Sequence, residues 1–387
     1  MTTYEEGIAT TTLAPDPVVT RVPTFGRATP IVATVAIVVV STVSWWILAD
    51  AKWSISEPSP AVVQSLLFWT ILGFIFTGFT FGNWPFTKLA QPLAGIAQVL
   101  TNLVVGVLGT LLFTRGVGHW DPTFSPDAPG GSGYTATAFI VLIGFFAYTM
   151  ASASWGGYPF ESVAAPLASV AQFFLAAFIT LIGVITLVYP NFNAQLAPHA
   201  PVSLPTALGW VYCSIVICIL AAMQWDNWPW IGIANRHARA LATLVIALGG
   251  GFLLMLVLKQ VVYGVVPADI QSLPTFSVAS ETAELGVCFS LWSLTVGLVF
   301  GPSRIRSVPA ARAVRTLVVA ALAVATYVLF MRVFATKALH FPALKGSYGG
   351  DPLAFIDWTI LIVLWHAVAF GGHLTTRRAT RSGNRRS

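Results

Sequence analysis

Charge is what this sequence lacks most. Only 9% of its 387 residues are Asp, Glu, Lys or Arg, where soluble domains carry about 25%. With 56% of the chain apolar, no polar shell remains to cover a water-facing surface, so lipid must be the solvent for most of it. Nucleic acid is excluded as a partner despite a pI near 9.4, because the basic residues lie in short loops and form no basic face. Cysteine is scarce as well. Cys213, Cys218 and Cys288 all fall inside apolar runs with no CxxC or Cys/His spacing; they read as small buried hydrophobes and give no disulfide framework or thiolate site. The chain has no Walker A, GxSxG, HExxH, dinucleotide fingerprint or haem-attachment motif, which argues against ATP-driven transport and hydride chemistry within it. No cofactor and no metal is expected.

Long apolar runs are what the chain does have. A spanning helix needs about 20 mostly apolar residues, and runs of that kind cover 30–50, 59–80, 90–114, 134–155, 164–189, 204–225, 238–263, 280–300, 312–336 and 354–374. The expected class is an all-α integral membrane protein of about ten helices, since a helix satisfies its backbone within one segment. The 14 Trp and 26 Phe suit chain that meets lipid headgroups. Residues 1–28, rich in Thr and Pro, read as a disordered N-terminus, 29–376 as the membrane domain and 377–387 as a basic tail that meets anionic headgroups. The first run resembles a signal peptide at its flanks, but it is too long and carries Trp45-Trp46.

Loop charges give the orientation. Arg21, Arg27, Lys88, Arg236, Arg239, Arg304, Arg306, Arg312, Arg315 and the five tail arginines fall on one side, fourteen in all. Lys52, Arg115, Lys259, Arg332, Lys337 and Lys345, six in all, fall on the other. The expectation is a multi-pass protein of the cytoplasmic membrane with both ends cytoplasmic and lipids as neighbours.

The chain also repeats itself. Residues 82–98 read GNWPFTKLAQPLAGIAQ and residues 156–172 read GGYPFESVAAPLASVAQ, nine of 17 positions being identical. A third copy starts at Asp226-Asn227-Trp228-Pro229-Trp230, and a degenerate fourth at Phe300-Gly301-Pro302. A half-copy follows, since Trp69-Thr70-Ile71-Leu72 with Phe81-Gly82 matches Trp358-Thr359-Ile360-Leu361 with Phe370-Gly371. Each unit is expected to be a helix, a tight cytoplasmic turn and a second helix, at about 59–115, 134–190, 204–263 and 280–336, with a half-repeat at 354–374. Two helices per unit keep every copy in the same orientation, so these are parallel repeats whose axis runs along the membrane normal.

Three sets of residues are candidates for function. The turn residues Asn83, Trp84, Pro85, Tyr158, Pro159, Asn227, Trp228 and Pro229 read first as helix stop, interface anchor and helix start, and second as a cytoplasmic gate. Gln98 and Asn102, in line with Gly106 and Gly109, and Gln172 and Thr180, in line with Ala176 and Gly183, form small polar stripes. Such stripes act as interhelical glue or line a solute path; repetition at equivalent depth favours one shared cavity for Gln98 and Gln172. Glu284, Asp357 and His366 are candidates for ion or proton coupling, since an ionisable group inside a membrane is costly; His373 falls on the face of His366. His119, Asp121, His199, His340 and Asp351 lie in loops on the other side without paired metal-ligand spacing.

The function expected from this pattern is a permease or facilitator for a small organic solute. The alternatives are a membrane enzyme acting on a lipid or small hydrophobic substrate, which needs Asp and His gathered at one leaflet, and a non-catalytic subunit of a membrane complex. Homo-oligomerisation is left open.

Overall fold

The computed structural model describes residues 21–23, 25–55, 59–302, 305–350, 352–372 and 376–378. Among these, nine helices are long and apolar enough to cross a membrane, and the chain is a multi-pass helical membrane protein. They are α1 (Gly26–Leu48), α2 (Pro60–Thr80), α3 (Leu93–Trp120), α4 (Pro129–Ser154), α5 (Ala165–Phe192), α6 (Leu204–Gln224), α7 (Arg236–Val265), α8 (Val278–Phe300) and α9 (Val308–Lys337). The tenth expected span is shorter than its apolar run. Helix α10 covers Leu353–Ala369, and residues 370–372 already form a turn; at 1.5 Å per residue it reaches about 25 Å. Four short strands complete the described chain: β1 (Arg21–Pro23), β2 (Ala343–Lys345), β3 (Tyr348–Gly349) and β4 (Thr376–Arg378).

Burial sorts the helices into two rings. In α2, α4, α6 and α8, 61% to 72% of the most apolar stretch is buried, against 17% to 28% in α1, α3, α5, α7 and α9. The inner helices pack in a closed circuit, α2 on α4, α4 on α6, α6 on α8, α8 on α10 and α10 back on α2. Each outer helix backs one of them: α3 on α2, α5 on α4, α7 on α6, α9 on α8 and α1 on α10. In lipid the on average more apolar helices stand outside, since apolar surface needs no cover there, and an outer helix has to hide only its one small or polar stripe.

The stripes allow close approach. A Cβ on Gly106 would lie 2.2 Å from Thr70 Oγ1 and 3.0 Å from the Leu66 carbonyl oxygen, and one on Gly251 would lie 2.6 Å from both Cα and N of Ser214. Only glycine lets the α2–α3 and α6–α7 backbones sit this near.

Helix α1, first in sequence, closes the ring next to the last helix. The Trp358 indole N–H donates to Ser44 Oγ at 2.8 Å, and Trp45 meets Phe355 edge-on. Strand β1 pairs antiparallel with β4, aligning Val22 with Arg377. Of the segment expected to be disordered, residues 21–23 are therefore a strand and 26–28 open α1; residues 1–20 and 379–387 lie outside the described residues.

Four inner helices end alike. The amide of Phe81 bonds the Phe76 carbonyl, that of Trp155 the Met150 carbonyl, that of Trp225 the Leu220 carbonyl and that of Phe370 the Trp365 carbonyl, each five residues back. Two residues of positive φ follow each time: Gly82 and Asn83, Gly156 and Gly157, Asp226 and Asn227, Gly371 and Gly372. The Trp84–Pro85, Tyr158–Pro159 and Trp228–Pro229 peptides are cis.

Candidate functional site

Three cavities follow one another from the middle of the inner ring toward the turns. The first, of about 20 Å³, is walled by all five inner helices through residues that include Phe68, Val141, Phe145, Tyr212, Ser290, Leu294 and Asp357. The second, of about 30 Å³, is again walled by all five and shares Phe145 and Leu294 with the first; Thr149, Ser152 and Ala153 line it too. The third, of about 260 Å³, shares Ala153 and lies among Ser154, Trp155, Tyr158, Glu161, Asn227, Arg236 and Arg239. A space of 10–15 Å³ or more holds one water, so the two inner cavities are of water size and, of these three, the third alone admits an organic molecule.

Charge on the two rings is segregated. The inner helices contain no Lys or Arg, and their only acidic residues are Glu281, Glu284 and Asp357. The basic residues of the spanning helices, such as Arg115, Arg239, Lys259, Arg312 and Arg332, belong to the outer ring. All three carboxylates are buried. The Tyr212 hydroxyl donates to Asp357 Oδ2 at 2.5 Å, and the Tyr327 hydroxyl donates to Glu281 Oε2. Tyr348, on β3, hydrogen-bonds Tyr327, and burial pushes its own hydroxyl up to about 12. The β2–β3 hairpin thus covers the end of the ring that carries Glu281.

Several buried polar atoms along this route have no hydrogen-bond partner among the described residues. They are Ser290 Oγ in the first cavity, Thr149 Oγ1 in the second, and Ser154 Oγ, Trp155 Nε1 and Asn227 Oδ1 in the third. Buried polar groups are ordinarily paired, by ordered water where protein does not serve, so these five atoms are where water or a polar solute finds a partner.

The residues singled out in the sequence fall into three groups. Asp357 lies on the first cavity and Tyr158 and Asn227 on the third. Glu284 is buried and, like Asp357, lies within electrostatic reach of Cys288. His366 is half-buried near the turn end of α10. Asn83, Trp84, Pro85, Pro159, Trp228 and Pro229 build the turns. Trp84 and Trp228 are exposed, Arg312 sits over the Trp228 ring, and the Tyr158 hydroxyl and His237 Nδ1 share a hydrogen bond of 2.5 Å.

The third group does not meet in one shared cavity. The Gln98 amide donates to Thr77 Oγ1 at 3.1 Å and to Asn83 Oδ1 at 3.0 Å. Asn102 donates to the same Thr77 and accepts from the Trp365 indole. Gln172 donates to the Ala151 carbonyl at 2.5 Å, and Thr180 to the Ala176 carbonyl of its own helix. The reason is positional: these residues ride on outer helices, whose polar stripes face the inner helix of the same hairpin, and the axis is walled by inner helices alone. Gln98 and Gln172 nonetheless do the same thing, each reaching back 21 residues to the last turns of the preceding helix.

Of the loop histidines, His340 pairs with the buried Asp50 at 3.0 Å; Asp351 and His373 lie outside the described residues. The sequence gives no sign of Tyr212, Ser290, Phe145 and Leu294, because a helix buried all round has no contrasting face to mark which of its residues meet the axis. Comparison with protein families, curated proteins and solved structures matched none of them to this chain.

Proposed function

We propose that the chain is a permease or facilitator that moves a small solute through the axis of its five-helix inner ring. The observation that carries this reading is the pair of axial cavities walled by all five inner helices, with buried polar groups and a carboxylate along them. An enzyme needs a reacting constellation open to its substrate; this route is instead narrow, axial and continued toward one face by a larger vestibule. This form is closed. Phe145 and Leu294 stand between the two water-sized cavities, so passage requires the inner helices to part there.

The architecture supports the same reading. We take the ring as five parallel two-helix units around an axis near the membrane normal, the fifth made of α10 with α1 and joined through the β1–β4 pair. The recurring turns and the paired contacts Gln98–Thr77 and Gln172–Ala151 speak for it. Units related in this way leave a shared axis, where repeated transporters place their solute site. The loop charges speak for a plasma-membrane protein with the turns, the vestibule and both chain ends on the cytoplasmic side. Tyr158 and Asn227 then belong to a cytoplasmic gate.

Purified protein in sealed liposomes tests the function, with uptake measured for a panel of cationic, neutral and anionic small solutes. Uptake above that of empty liposomes for at least one class is expected, and folded protein that passes none of them would remove the permease reading. Reporter fusions test the orientation. Alkaline phosphatase is expected to be active after Arg115, Pro198 and Asp269 and silent after Lys88 and Arg236; activity at the second pair would overturn it.

A further inference from the structure

We propose that the solute is a small monovalent cation of the ammonium class, held on the axis by the Asp357 carboxylate with help from Ser290. This rests on the permease reading and narrows it. Its starting point is the segregation of charge: the five helices that wall the axis carry Glu281, Glu284 and Asp357 and no Lys or Arg. A buried carboxylate keeps its charge only beside a cation and otherwise takes up a proton, so such a wall favours a cation over an anion.

The first cavity has the chemistry to hold one. Asp357 offers a carboxylate on it, and the neighbouring Ser290 Oγ is 3% exposed and without a hydrogen-bond partner among the described residues. Phe68, Phe145 and Tyr212 border the same space, and an aromatic face attracts an ammonium group, most strongly where water is excluded. An ammonium ion donates N–H groups to a few oxygens and rests its remaining charge on rings. A bare alkali or divalent ion instead needs a full shell of oxygens, which a pocket otherwise lined by Ile, Leu and Val does not supply. Size agrees, since a space of about 20 Å³ takes a species no larger than water, and ammonium is of that order.

The test is electrical. Proteoliposomes adsorbed on a solid-supported membrane are exposed to jumps of ammonium chloride at mildly acid pH, where ammonia is protonated, and separately to jumps of sodium chloride, sodium acetate and pH alone. Currents are expected for ammonium, with little response to sodium or acetate. Asp357→Asn should reduce the ammonium current by roughly 10- to 100-fold, the factor carried by a hydrogen bond to a charged group. Ser290→Ala should raise the half-saturating ammonium concentration several-fold; it fills no new space, so it serves as the foldable variant if Asp357→Asn fails to assemble. Acetate current, or ammonium current unchanged in folded Asp357→Asn and Ser290→Ala, overturns the inference. A response to pH alone also overturns it, making Asp357 a proton site. Uptake of a neutral or anionic solute that ignores both substitutions leaves the permease standing and this inference fallen, whereas no flux of any class removes both.

Discussion

Replacing Gln98 with leucine should weaken the fold and spare the transport path. The Gln98 side chain is 1% exposed, and its amide makes two hydrogen bonds to the preceding helix and turn, to Thr77 Oγ1 at 3.1 Å and Asn83 Oδ1 at 3.0 Å. Leucine removes both donors. Thr77 keeps the Asn102 amide at 2.9 Å, so its oxygen stays satisfied, while Asn83 Oδ1 loses the Gln98 donor at a turn where φ is 64°. Interhelical bonds in membrane bundles are worth about 0.6 kcal/mol on average and about 1.7 at most. Two of them, less a small return from burying leucine, give a loss of about 1–2 kcal/mol. Thermal unfolding in detergent measures that loss, and uptake per folded molecule is measured on the same preparation. The expected pair of results is a lowered Tm with uptake near wild type. Unchanged stability with lost uptake would refute the reasoning and put Gln98 on the path. Gln172→Leu should behave alike with a smaller loss, since it gives up one bond to the Ala151 carbonyl.

Two further outcomes test the packing and the constriction. Gly251→Ala should destabilise by about 1–3 kcal/mol, because its Cβ would meet Ser214 backbone atoms at 2.6 Å, whereas Gly249→Ala, with nothing within 4 Å, should be near neutral; equal Tm shifts would contradict the close α6–α7 approach. Phe145→Ala should join the two axial cavities and raise solute leak through the liposome wall, and a leak no greater than that of wild type would place the barrier elsewhere than at Phe145 and Leu294.

The class of this protein was legible without a structure, and so was much of its organisation. Apolar runs of spanning length have few fates, because backbone polar groups must be satisfied inside lipid. The turns were legible too, since Gly82-Asn83 and Asp226-Asn227 belong to residue types that tolerate positive φ. The polar stripes of α3 and α5 showed up because an outer helix has two unlike faces, lipid on one and protein on the other. That same contrast makes Gln98 and Gln172 resemble a solute path in the sequence. Tertiary structure alone decided which helix of each pair stands inside, that α1 packs on α10, and that Ser290, Tyr212 and Phe145 join Asp357 around one cavity. Helices buried on every side have no polar face to give their orientation away, and the convergence of five segments on one line is a property of the assembled ring.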